Sequence, residues 1–153
     1  DYELINNFET LSEIEKELFK IADTQMELAY APYSNFHVGA AILLDNGKII
    51  PGSNQENAAY PLCMCAERVA LYSAITMYPN AKGTKMAIVA NNPKQKIDKA
   101  IPPCGSCRQV ILEFENRYGN PMEILLRDDF GNYYRFKSAR QLLPLAFDGS
   151  FLG

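Results

Sequence analysis

The chain has one histidine, four cysteines and no concentrated basic stripe, and its longest apolar run, Val38 to Leu44, is seven residues. That run is far too short to cross a bilayer, which takes about 20 apolar residues in a helix. The first thirty residues alternate acidic, polar and apolar positions, so no secretory signal or membrane span is expected in them. The densest basic stretch, Lys94 to Lys99, is broken by Gln95, Ile97 and Asp98, and the net charge is −3. A solvated loop is expected there, because binding a polynucleotide needs many cations on one face. The partner is therefore expected to be a small molecule. The sole histidine, His37, follows Phe36 and in a strand would point to the opposite face, so it is not expected to be a ligand. Closely spaced cysteines without a signal favour reduced thiols in the cytoplasm that bind metal, rather than disulfides.

What is present describes one ordinary domain spanning residues 1–153, large enough to bury roughly 68–70% of its unfolded surface. Neither a repeat nor a linker interrupts it. Leu11, Ile14, Leu18, Ile21, Ala22, Met26 and Ala29 recur at helical spacing, Ser12 and Glu15 form a candidate capping box, and Pro32 ends the pattern. Phe36–Asp45 and Lys48–Gly52 read as strands joined by a tight Asn46-Gly47 turn. A helix over Cys65–Tyr78, a strand over Lys85–Ala90 and a helix over Ser106–Tyr118 follow. Strands over Met122–Arg127 and Gly131–Phe136 and a short helix over Ser138–Leu143 complete the chain. This order predicts a mixed sheet with helices on both faces.

The chemistry is concentrated in two segments. Cys63-Met64-Cys65-Ala66-Glu67-Arg68 is answered, 39 positions after Cys65, by Pro103-Cys104-Gly105-Ser106-Cys107-Arg108-Gln109. Zinc takes thiolates in tetrahedral sites, and a catalytic site uses three protein ligands to leave one position open. Cys65, Cys104 and Cys107 are the expected three. Three thiolates leave a negative charge on the centre, which two helix N-termini and the Arg68 guanidinium are placed to offset. Glu67, on the first turn of its helix, is expected beside the metal as a general acid and base. If Cys63 were a fourth ligand, the site would be closed and structural. Its single-residue spacing from Cys65 argues against that, since the two would compete for one position.

A cysteine two residues before a glutamate, with Pro-Cys-x-x-Cys downstream, matches the zinc-dependent nucleobase deaminases in their three-cysteine variant. Together with Tyr30-Ala31-Pro32-Tyr33-Ser34-Asn35-Phe36, Val38-Gly39-Ala40-Ala41, Asn54 to Tyr60 and Leu142-Leu143-Pro144, the motifs resemble the cytidine deaminase family from about Met26 to Phe147. The form resembled is the small homotetrameric one that acts on free nucleosides. The resemblance implies a three-layer α/β/α fold with a five-stranded mixed sheet and one Zn2+ per subunit. It further implies hydrolysis of cytidine and 2′-deoxycytidine to uridine and 2′-deoxyuridine, with release of ammonia, in pyrimidine salvage. In that reaction Glu67 protonates N3 and then the departing amine, while backbone donors near Ala66 help hold the tetrahedral C4 centre. The match also assigns Phe36 to stacking on the pyrimidine and Asn54 and Glu56 to the ribose 3′-hydroxyl. Ala58, Tyr60 and Phe147 match positions that reach a neighbouring subunit's site. Departures are Gln55, where an aliphatic residue is familiar, the extra thiol of Cys63, and a longer Asn91–Ile101 connection.

Three other readings stay open from sequence. A relative could act on another aminated heterocycle such as the antibiotic blasticidin S, against which the Asn54-x-Glu56 pair speaks. A polynucleotide-editing deaminase would need a basic surface and more often uses a histidine ligand. A non-catalytic zinc-stabilised domain would leave Glu67 without a purpose.

Overall fold

Ser12 begins the first long helix by the capping box its sequence predicts: the Glu15 N–H donates to Ser12 Oγ at 3.4 Å, and the Ser12 N–H donates to the Glu15 carboxylate at 2.9 Å. The computed structural model describes residues 1–153. In chain order its elements are β1 (Glu3–Ile5), α1 (Glu13–Glu27), β2 (His37–Leu44), β3 (Ile49–Ser53), α2 (Ala66–Met77), β4 (Gly83–Asn91), α3 (Gly105–Tyr118), β5 (Glu123–Arg127) and β6 (Tyr133–Phe136). The strands form one sheet in the order β1-β6-β5-β4-β2-β3. Only β4 and β5 run parallel, and α3 makes the crossover between them.

Strand alternation sorts the core into two layers. Ala40, Ile42 and Leu44 of β2 pack with α2 and α3, together with Met86, Ile88, Ile111 and Ile124. Ala41 of the same strand faces the other way and joins Leu18, Phe19 and Ala22 of α1, with Ala87, Val89 and Leu125. Small residues let the layers approach closely. A Cβ on Gly39 would overlap the α1 backbone at Ala22, and one on Gly52 would lie 2.7 Å from Ala70 N of α2. No helix is long and apolar enough to cross a membrane.

The three-layer fold stands as predicted, with three corrections. The sheet has six strands rather than five, because Glu3–Ile5 pairs antiparallel with β6 as an edge strand, Leu4 opposite Tyr134. Residues 138–143 do not make a helix. They form one 3-10 turn, Ala139–Gln141: Ser138 and the buried carboxylate of Glu115 cap its start, the latter taking the Ala139 N–H at 2.9 Å, and Pro144 disfavours helical backbone at Leu143. Gly131, at φ 86, belongs to the turn before β6 rather than to the strand.

Candidate active site

Two helices begin at the same place. Cys65 is the N-cap of α2 and Cys104 the N-cap of α3, both in extended conformation, and no side chain caps either helix. Their first-turn N–H groups and the positive ends of both dipoles are therefore left to the sulfurs and to whatever binds there. Cys65 Sγ lies 3.8 Å from Cys104 Sγ, and the sulfur of Cys107, one turn into α3 and fully buried, completes a cluster within 4.8 Å. A tetrahedral zinc with sulfurs at about 2.3 Å spaces them ~3.8 Å apart, so the donor set fits the ion.

The protonation pattern points the same way. In the chain alone, a hydrogen bond with Cys107 and the nearby Arg68 guanidinium hold the Cys65 thiol down to about 5. The same hydrogen bond, followed by burial, pushes Cys107 well up. A divalent cation binds deprotonated sulfurs, so its binding releases the thiol protons. Arg68 Nη2 donates to Cys65 Sγ at 3.5 Å, and its Nε is buried with no partner. Glu67 is 4% exposed, and burial, with the Cys65 charge adding to it, pushes its carboxyl up to about 7. A carboxyl poised there can both accept and release a proton near neutral pH.

These groups open into a cavity of about 460 Å³ lined by Phe36, Val38, Asn54, Glu56, Cys65, Glu67, Arg68 and Cys104, among others. Its size suits a ligand of one heterocycle and one sugar. A family model described as the cytidine and deoxycytidylate deaminase zinc-binding region matches residues 12–118. The chain belongs to this family. The cytidine deaminase of Sporosarcina psychrophila is 41% identical over 122 residues, 79% of this chain and 82% of that one. The probable cytidine deaminase of Dictyostelium discoideum is 42% identical over 126 residues, 82% of this chain and 78% of that one. Among solved structures, a cytidine deaminase from Burkholderia pseudomallei aligns with TM-score 0.75 and 38% identity, covering 90% of this chain and 100% of that one.

Family membership accounts for the zinc, and the cluster fits one ion per subunit with Cys63 outside it. The Cys63 thiol instead engages Asn57, accepting from its N–H at 3.3 Å and donating to its carbonyl at 3.6 Å. The loop after β3 is braced on both sides: Glu56 N–H donates to Tyr30 O at 2.9 Å, and Gln55 exchanges backbone bonds of 2.9 and 2.8 Å with Met64, next to Cys65.

Asn54 and Glu56 both line the cavity, yet each also has an internal task. Asn54 acts as a strand extension, its amide donating to Phe36 O at 2.9 Å and its carbonyl accepting from Val38 N at 2.8 Å. Glu56 accepts from Tyr33 N–H at 2.8 Å, Ser34 N–H at 3.2 Å and the Ser34 hydroxyl. The Ser34 hydroxyl bond leads the causes that hold its carboxyl below the ordinary range. Ala66 opens α2 beside Glu67. Ala58, Tyr60 and Phe147 do not line the cavity within one chain; Tyr60 and Phe147 are exposed. Ser34, Met64, Ile88, Ile101 and Pro102 line it without having been singled out from sequence. Ser34 lies in the Tyr-Ser-Asn-Phe stretch and Met64 between the two cysteines, so both stood within quoted motifs, whereas nothing marked Ile88 or Pro102.

Proposed function

We propose that this chain is a zinc-dependent hydrolase that converts cytidine and 2′-deoxycytidine to uridine and 2′-deoxyuridine with release of ammonia, serving pyrimidine salvage in the cytoplasm. The observation that carries the reading is the buried carboxyl of Glu67 beside an open three-thiolate cluster at the floor of a nucleoside-sized cavity.

Cys65, Cys104 and Cys107 would hold zinc, which when bound would supply a Lewis-acidic centre able to make water a competent nucleophile near neutral pH. Glu67 does the proton work. It accepts a proton from the attacking water as the C4–O bond forms and delivers one to pyrimidine N3. It then takes the remaining proton from the C4 hydroxyl and carries it to the 4-amino group, so that the C4=O bond forms as the C4–N bond breaks with ammonia as the leaving group. A carboxyl kept out of water and raised towards 7 is suited to both directions of transfer. First-turn N–H groups at Ala66 and Glu67 stabilise the tetrahedral C4 centre, an interaction stronger there than with the flat substrate.

Phe36 stacks on the base. Asn54 and Glu56, already fixed by their bonds to residues 33–38, present their remaining polar edges to the ribose 3′-hydroxyl, a contact that needs no further ordering. Arg68 balances the thiolates. The chain assembles as a homotetramer with shared sites, Ala58, Tyr60 and Phe147 of one subunit completing a neighbour's cavity. The exposure of Tyr60, Leu62, Leu145 and Phe147 supports that assembly.

The test is the fall in absorbance on mixing protein with cytidine or deoxycytidine, beside Glu67→Gln with zinc measured in both. Turnover in the wild type and its loss in the zinc-loaded variant are the expected results. A wild-type protein that holds zinc and turns over neither nucleoside would sink the reading.

A further inference from the structure

The two residues that follow Cys107 each reach from α3 to the C-terminal segment. Arg108 donates from Nε to Pro103 O and from Nη1 to Leu142 O, both at 2.8 Å. Gln109 donates from Nε2 to Phe147 O at 2.9 Å. Between the two anchored carbonyls lies Leu145, fully exposed and at φ 52, in the left-handed region that a leucine enters only at a cost. Such a conformation persists where its surroundings impose it, and here the two hydrogen bonds bracket it. Beyond the bracket, the Phe147 ring stacks on Phe151 with centroids 5.7 Å apart and planes 12° apart. Arg140 holds Asp148 at 3.6 Å.

Phe147 is thus an exposed aromatic on a segment whose backbone is fixed to the helix that carries Cys107. Nothing in its own subunit's cavity uses it. We propose that Gln109 is a positioning residue for the active site of a neighbouring subunit: its hydrogen bond to the Phe147 carbonyl sets where that ring projects. The inference rests on the reading in which Phe147 enters a neighbour's site. Gln109 then acts in trans, although it stands two residues from a metal ligand of its own subunit.

The experiment compares Gln109→Met, which keeps the length and removes the donor, with Gln109→Glu, which keeps length and polarity and also removes it. Loss of one such hydrogen bond is expected to raise KM about three- to tenfold. The expected kcat stays within about twofold, as for lost ground-state binding, and zinc content and assembly stay unchanged. Hybrid oligomers decide in whose site the effect appears. A Gln109→Met subunit surrounded by Glu67→Gln subunits, which are inactive but carry intact Gln109, is expected to recover the wild-type KM. A wild-type subunit surrounded by Glu67→Gln/Gln109→Met subunits is expected to show the raised one. If KM instead follows the residue in the active subunit itself, the inference is overturned while shared sites stand. If Phe147→Ala leaves KM unchanged, both fall.

Discussion

Arg135 Nη2 donates to the carboxylate of Glu15 at 2.7 Å, and Glu15 is 2% exposed. The same carboxylate caps its own helix through Ser12 N–H and accepts from Lys85 Nζ at 3.4 Å, while Arg135 also holds Glu3 at 2.6 Å. One buried charge therefore joins α1 to β1, β4 and β6. Replacing it with alanine removes the cap and one of the two carboxylate partners of each cation, Lys85 keeping Glu123 and Arg135 keeping Glu3. The loss should therefore be that of a cap and its charge-assisted hydrogen bonds, about 2 kcal/mol. A urea midpoint shift at unchanged slope measures it, and a shift within error would refute the linkage role. Glu15→Gln, which can still accept from Ser12, should lose less.

Glu15 also sets a direction for acid stability. Burial alone pushes its carboxyl up, but hydrogen bonds from Ser12 and Arg135 outweigh burial, and the net value lies below the ordinary 4.5. Its contribution is therefore complete above pH 4.5, declines as pH falls from there through the folded-state value, and is gone below it. Denaturation midpoints followed from pH 7 downwards should show this acid limb in the wild type. They should show a shallower one in Glu15→Gln, and parallel limbs would remove Glu15 from the account.

The four cysteines should separate cleanly. Cys63 is occupied by Asn57, whereas Cys104 lies within the sulfur cluster. Cys63→Ser is expected to keep one zinc per chain and most of the activity. Cys104→Ser should lose zinc at least tenfold more readily to a chelator and lower Tm, because bound metal adds to folded-state stability by linkage. Metal content by elemental analysis with paired melting curves decides it, and equal zinc loss in both variants would contradict the three-thiolate site.

Much of this was legible because the signals were local. Ser12 with Glu15, Asn46-Gly47 and the cysteines at two helix starts each act within a few residues, and the structure places them as their chemistry requires. What sequence hid was long-range. Glu3–Ile5 becomes a strand only because β6, some 130 residues on, offers an edge, and three residues carry no period of their own. Residues 138–143 read as helical, and Glu115 and Ser138 do cap their first N–H groups, but Pro144 opposes continuation and the turn closes after Gln141. Asn54 and Glu56 read on their own as a polar loop, and only the family resemblance assigned them to the ribose. That they also lock residues 33–38 in place depends on the loop folding back over β3, which no spacing rule encodes.

The closest link between packing and chemistry is Gly52. Its missing Cβ leaves room for the first turn of α2, whose Ala66 carbonyl and Ala70 nitrogen lie where a methyl group would stand. Both obstacles are backbone, so Gly52→Ala must shift the helix rather than a side chain, at about 1–3 kcal/mol for an overpacked contact. The helix carries Cys65 as its cap and Glu67 in its first turn, and misplacing a catalytic group by about 1 Å can cost 10²-fold in rate. Gly39 provides the control. Its Cβ would overlap Ala22 of α1 on the opposite face, a helix with no residue of the site, so Gly39→Ala should destabilise at least as much. Among molecules that remain folded, however, Gly39→Ala should keep zinc and kcat, whereas Gly52→Ala should weaken zinc binding and lower kcat. Zinc affinity and kcat measured per folded molecule in the two variants test this directly. Equal losses in both would mean that the sheet transmits any distortion to the site, and that α2 packing at Gly52 has no special part in setting its geometry.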